Sequence, residues 1–163
     1  MLILAPMGLS PAIAIRPARP AEKPLLDALC FRAKAHWGYD ADFMAKCRPA
    51  LCVAAAAIGA GRVFVAAGVE GHPLGVAALD LANPDTALLD LLFVEPGRIG
   101  TGLGAALFRH AADAARTNCA TSLDIEADPF AAGFYERMGA RRIGMVASGV
   151  IPERWLPLYR LDL

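Results

Sequence analysis

The sequence has no excess of either charge sign and little that could form a metal site. Sixteen basic residues balance sixteen acidic ones, and without a basic cluster the electrostatic footprint of a nucleic-acid-binding protein is missing. The four cysteines form no CxxC pair and no cluster with the three histidines, which predicts small core residues of a reduced, cytosolic protein. We therefore expect no metal, no nucleic-acid partner and a cytoplasmic location.

Long apolar segments are also missing. The first fifteen residues are apolar, but prolines interrupt them and no basic residue precedes Arg16. This start is too short to span a membrane and lacks the basic region of a signal peptide. We expect a flexible N-terminal extension at residues 1–11, a single domain at residues 12–163 and no membrane partner.

The order of predicted elements is strand, two helices, three antiparallel strands, helix, strand, helix and two strands. Residues 62–82 read as a hairpin around the turn signal EGHP, and TALLDLLFV, apolar nearly throughout, is typical of a central strand. A long helix from Gly100 to about Arg116 makes the strands on either side of it parallel neighbours. The pattern predicts an α/β fold, with a mixed, mostly antiparallel sheet of about six to seven strands flanked by about four helices.

Three glycines, Gly100, Gly102 and Gly104, stand where the central strand passes into the long helix. One interpretation is that the glycines do no more than allow a tight turn from the strand into the helix. GTGLGA also fits the dinucleotide fingerprint, with Asp124 and Glu126 about twenty residues further on. However, EPGRI separates the strand from the glycines, and hairpins precede it. A third interpretation is an anion bound by successive main-chain amides at the helix N-terminus, where the macrodipole favours negative charge.

Two segments resemble motifs of one family. LLFVEPGRIGTGLGAALF resembles motif A of the GNAT superfamily of acyl-CoA N-acyltransferases, a strand followed by V-x-P and R/Q-x-x-G-x-G/A, with Ile99 where Arg or Gln is usual. DPFAAGFYERMGA resembles motif B, N-x-x-A-x-x-x-Y-x-x-x-G-F, with Asp128 replacing the usual Asn and Ala140 the usual Phe. The resemblance covers about residues 12–163 and implies the GNAT fold.

The resemblance also implies where a coenzyme binds. In GNAT enzymes the motif A strand splays away from the next strand, and acetyl-CoA binds there, its pantetheine arm pairing with the main chain like an added strand. The residues that we predict to bind acetyl-CoA are Leu92, Phe93, Val94, Ile99, Gly100, Thr101, Gly102, Leu103, Gly104, Ala105, Asp128, Phe134 and Tyr135.

Tyr135 stands where the family often has the general acid that protonates the leaving thiolate, a role suited to a phenol at neutral pH. The general base is open between two carboxylates. Many relatives carry one early in the motif A strand, near Leu88; Asp90, two residues on, is expected on the same face. Glu126, near the end of the adjacent strand, is the other candidate.

The exit of the first helix carries His36, Trp37 and Tyr39, which we predict to contact the substrate because this region lines the acceptor site in the superfamily. The sequence thus predicts an N-acetyltransferase that transfers an acetyl group from acetyl-CoA to a primary amine of a small molecule or peptide by direct attack. A domain that senses acyl-CoA without turnover, and a small dinucleotide-binding oxidoreductase, are the alternatives. Apolar C-terminal strands leave a homodimer open.

Overall fold

A computed structural model describes residues 13–163, in which seven strands form one mixed sheet in the order β1-β2-β3-β4-β5-β7-β6. The strands are β1 (Ala14–Pro17), β2 (Val63–Ala67), β3 (Pro73–Asp80), β4 (Thr86–Val94), β5 (Ser122–Glu126), β6 (Arg141–Ala147) and β7 (Trp155–Asp162). The helices are α1 (Lys23–Ala35), α2 (Ala41–Cys47), α3 (Ala55–Gly59), α4 (Leu103–Thr117) and α5 (Ala132–Arg137). The predicted α/β fold is confirmed; the extension at residues 1–11 lies outside the described residues.

The strand pairing follows the predicted connections. Strands β2, β3 and β4 are antiparallel neighbours, and the crossover through α4 makes β4 and β5 parallel. The last strand, β7, lies between β5 and β6 and is antiparallel to both. This insertion puts the end of the chain inside the sheet and leaves β6 at its edge.

Apolar cores lie on both faces of the sheet. On one face, Leu103, Leu107 and Phe108 of α4 pack against β3, β4 and β5. On the other face, Leu26 and Leu29 of α1 pack against the buried residues of β2, β3 and β4 whose side chains point to that side of the sheet. Each fully buried leucine contributes about 1.5–3 kcal/mol to folding. Together these helices fix the position of β4, the strand that carries the motif A residues.

The structure corrects the prediction for the cysteines. Cys30 and Cys47 are buried in the core under α1 and α2, but Cys52 and Cys119 are exposed. Cys119 lies in the turn after α4 with a positive φ of 67°, so it serves the chain reversal rather than the core. No helix between residues 13 and 163 is long and apolar enough to cross a lipid bilayer.

Candidate active site

Strands β4 and β5 diverge along their length. They pair only from Thr86 opposite Ser122 to Leu88 opposite Asp124, although β4 continues to Val94. Beyond Leu88 the two strands share no ladder, so a V-shaped cleft opens between them. The edge of β4 that faces this cleft presents main-chain groups without a strand partner.

The alternation of β4 decides which main-chain groups face the cleft. The Glu95 N–H donates to the Leu74 carbonyl at 2.9 Å, and Phe93 lies opposite Val76. Since main-chain groups alternate between the two edges of a strand, those of Phe93 point to β3. The groups of Leu92 and Val94 therefore face the cleft, and the prediction that Phe93 also offers its main chain there does not fit this register.

The glycine segment closes the wide end of the cleft. Gly100 and Gly102 have φ values of +79° and +86°, which residues with a Cβ adopt only under strain, and a Cβ on either would meet nothing within 4 Å. Gly104 has no such backbone requirement, and its Cβ would meet the Phe134 ring at 3.7 Å. A tight turn thus explains two of the three glycines and also leaves open space in front of both.

Five main-chain donors lie at the amino end of α4. The first helical bond runs from Ala106 N–H to the Gly102 carbonyl at 3.1 Å. Among the described residues, no acceptor takes the amides of Gly100, Gly102, Leu103, Gly104 and Ala105. A 15-residue helix adds its dipole at this end, so the segment suits a phosphate-type anion. Ile99, 45% exposed, adds no charge.

Tyr135 is buried in the core beside two other aromatic rings. The residue is 6% exposed, and its ring packs against Phe134 and Phe108, with centroids 5.1 and 5.9 Å away. Burial, and secondarily the Asp128 carboxylate, raise the pKa of Tyr135; the phenol is protonated at neutral pH and able to donate.

Asp90 occupies a β-bulge in β4. Leu91 pairs with Ala78 and Leu89 with Leu79, which leaves Asp90 as the extra residue. The expectation that it shares a face with Leu88 assumed unbroken alternation, which the bulge interrupts. Asp90 as a residue is exposed, yet partial burial of its carboxyl group raises its pKa, as does the charge of Asp80, against a lowering by Arg62. A raised pKa suits a proton acceptor.

The two acidic residues of β5 have different surroundings. Asp124 forms an ion pair with Arg160 at 2.7 Å, whereas Glu126 is exposed at the end of β5 beside the cleft. Glu126 therefore stays a candidate base. The dinucleotide interpretation does not fit the topology. The glycine segment lies in the β4–α4–β5 crossover, but β4 pairs with β5 over only three residues, and antiparallel hairpins rather than further parallel strands precede it.

The structure brings the three predicted acceptor residues together in one aromatic cluster around Phe130. Trp37 stacks on Phe130 of motif B with centroids 5.4 Å apart. Tyr39 meets the same ring edge-on at 5.8 Å and stacks on Phe43 of α2 at 4.1 Å. His36 is exposed and touches the Trp37 ring edge-on at 5.4 Å. Contact with a substrate stays a prediction for all three.

The structure also adds residues that sequence reasoning missed. The Asp128 carboxylate accepts hydrogen bonds from Lys34 and Tyr39 and lies 3.7 Å from Arg154. No spacing links positions 34, 128 and 154 in the chain. The one available signal was the acidic residue in the usual Asn position of motif B, since a charge placed there needs a nearby cation.

Two surface depressions lie away from this cleft, one beside α1 lined by Asp27, Phe31 and Arg48, and one between α4 and α5. In the part of the chain that the structure describes, no group of three or more His, Cys, Asp or Glu residues could hold a metal ion. The candidate site is an open V between strands.

Comparison with known proteins gives one sequence relative and many solved structures. Streptothricin acetyltransferase of Streptomyces lavendulae is 38% identical over 88 residues, which are 52% of this chain and 47% of that protein. The chain thus matches about half the length of that curated relative.

Two solved structures share the fold over nearly the whole chain. A GCN5-related N-acetyltransferase from Rhodopseudomonas palustris has a TM-score of 0.76 at 21% identity, covering 98% of this chain and 100% of that one. The PaiA N-acetyltransferase from Thermoplasma acidophilum, solved in complex with coenzyme A, has a TM-score of 0.76 at 12% identity, covering 93% and 99%. Residues 25–140 match the family described as acetyltransferase (GNAT), and the chain belongs to that family.

Proposed function

We propose that this protein transfers the acetyl group of acetyl-CoA to a primary amine of a small molecule by direct attack. The observation that carries the proposal is the coincidence of the β4–β5 splay with five unpaired amides at the start of α4. Family membership supports acyl transfer. The sequence relative named for streptothricin supports an acceptor of small-molecule type.

The residues of the cleft fit acetyl-CoA. The amides of Gly100 and of residues 102–105 would hold the pyrophosphate, and the open space in front of Gly102 lets it approach the main chain closely. The main-chain groups of Leu92 and Val94 would pair with the pantetheine arm as an added strand does. Phe134, packed near Gly104, would border the arm on the α5 side. The bound thioester supplies the activated acyl carbon.

The side chains then have to move two protons. Asp90 accepts the proton that the attacking amine loses as the C–N bond forms, a task for which its raised pKa suits it. Tyr135 donates its hydroxyl proton to sulfur as the C–S bond breaks, so the thiolate leaves as a thiol. Its own proton is restored from solvent once the thiol has left. Glu126 is the alternative acceptor at the other side of the cleft.

Two measurements test the proposal. Titration calorimetry should show binding of acetyl-CoA and CoA and none of NAD. A free-thiol assay with streptothricin and a panel of small primary amines and short peptides should show amine-dependent thiol release. Binding of acetyl-CoA without release above hydrolysis for any acceptor would make the chain a sensor of acyl-CoA and overturn the catalytic proposal. Release with peptides alone would overturn the small-molecule acceptor.

A further inference from the structure

Asp128 joins four segments of the chain through its carboxylate. It accepts hydrogen bonds from the Lys34 ammonium group at the end of α1, from the Tyr39 hydroxyl at 2.9 Å and from the main-chain N–H of Phe130 at 2.9 Å. Arg154, from the loop between β6 and β7, lies 3.7 Å away. Arg154 also donates to the Tyr39 hydroxyl at 2.8 Å, so the contacts form a closed network.

The negative charge of Asp128 is compensated by two cations within this network. The side chains of Lys34, Asp128 and Arg154 are only 12%, 13% and 18% exposed. Burial alone would raise the pKa of Asp128, but Lys34 and the other donors outweigh it and lower the pKa below its usual value. The pKa of Tyr39 is raised to about 12, chiefly by burial, so its hydroxyl stays a donor to Asp128.

Such a network explains why this chain tolerates Asp where motif B usually has Asn. A carboxylate this far out of water without a cation would be costly, and two cations without the carboxylate would be costly as well. Lys34 and Arg154 therefore supply the positive charge that an aspartate at position 128 requires. Their aromatic neighbours complete the enclosure, since Lys34 lies 5.1 Å and Arg154 5.3 Å from the centre of the Tyr39 ring.

The network is connected to the proposed acid through a short segment of main chain. The Asp128 side chain holds the Phe130 N–H, and its carbonyl accepts from Ala131 N–H at 2.8 Å. These bonds set the turn at Pro129–Ala131, which continues directly into α5 with Phe134 and Tyr135. A displacement of Asp128 would move that helix relative to the start of α4.

We propose that Lys34, with Tyr39 and Arg154, is a positioning residue that holds Asp128, and through it the α5 helix, in the place where Tyr135 serves the cleft. The inference rests on the proposed acetyl transfer. Lys34 does not touch the reacting atoms; it acts through Asp128. Loss of the cation should lower turnover and leave nearly intact the larger part of the coenzyme site, the amides of α4 and the main chain of β4; only the border that Phe134 of α5 would form moves with the helix.

The experiment uses Lys34→Met, Lys34→Arg, Asp128→Asn and the double variant Lys34→Met/Asp128→Asn. The matched control is Lys46→Met, a lysine exposed on α2. For each protein, the release of free CoA thiol from acetyl-CoA is measured with water alone and with the active amine as acceptor. The KM for acetyl-CoA and the melting temperature are measured as well.

Lys34→Met should lower kcat by about 10–100-fold, as small misplacements of catalytic groups do, with the KM for acetyl-CoA nearly unchanged. Lys34→Arg should recover most of that loss because it keeps the cation. The double variant, which removes both charges, should lose less than the product of the single losses.

Several outcomes would overturn the positioning role. One is a Lys34→Met protein with the same kcat as the Lys46→Met control. Another is a double variant whose loss of kcat equals the product of the losses in the two single variants. If the two substitutions are coupled only in their effect on the melting temperature and kcat is unaffected, the network has a structural role alone. A wild-type protein that neither binds acetyl-CoA nor releases thiol defeats the proposed function itself, which the titration detects separately.

Discussion

Two alanine substitutions, two residues apart, separate a glycine required by backbone geometry from one that is not. At position 102 the φ of +86° puts an alanine in the left-handed region, at a cost of about 1–2 kcal/mol. No protein atom lies within 4 Å of the new Cβ, so no further loss arises from a clash. At about 2–4 °C per kcal/mol for a chain of this size, Gly102→Ala should melt about 2–8 °C lower.

At position 104 the same substitution should have the opposite sign. The residue is helical without a positive φ, and its Cβ would meet the Phe134 ring at 3.7 Å, an ordinary contact. Replacing glycine by alanine in a helix stabilises by up to about 1 kcal/mol, so Gly104→Ala should melt higher, by at most about 2–4 °C. Alanine is also accepted at this position of the motif, so coenzyme affinity should be retained.

Calorimetric titration with CoA and a melt of each variant provide the assay. Gly102→Ala should bind CoA at least about tenfold more weakly, because a methyl group and a strained turn displace the amides that a pyrophosphate would use. Gly104→Ala should bind like the wild type. Unchanged affinity in a folded Gly102→Ala protein would refute the amide site, and a lowered melting temperature for Gly104→Ala would refute the packing argument.

Three further predictions concern the cleft. Tyr135→Phe should lower kcat about 10²–10⁴-fold with little change in the melt, and should lose the alkaline limb of the pH–rate profile. Since the acid must be protonated and burial raises its pKa, the wild-type limb should lie above the ordinary phenol value of about 10; an unchanged limb in the variant would leave Tyr135 a packing residue. Asp90 must be deprotonated to act, so activity should fall as pH falls through its raised pKa. Asp90→Asn should abolish that limb and Glu126→Gln should not, the reverse result assigning the base to Glu126. Ile99→Arg adds a cation at an exposed position beside the amides, so CoA affinity should hold or rise, more so at low salt; a marked loss would contradict the orientation of the α4 start.

Local patterns in the sequence were sufficient for the order of elements and for the place of the motifs. Alternation and near-continuous apolar runs predicted the hairpin and β4, and three glycines before an alanine-rich segment predicted the start of α4. Such signals lie within a few residues of the features they specify, because hydrogen bonding and periodicity in helices and strands are local.

Contacts between distant residues were decided by the tertiary structure. The bulge at Asp90 arises from the pairing of β4 with β3, and the place of β7 between β5 and β6 from a choice of neighbours that the order of strands does not fix. The hydrogen-bond network of Asp128 brings together residues up to 120 positions apart, from Lys34 to Arg154. A buried charge needs a counter-charge close in space but at no set distance along the chain, so the sequence alone could indicate that Asp128 has a partner and only the fold could show which residue it is.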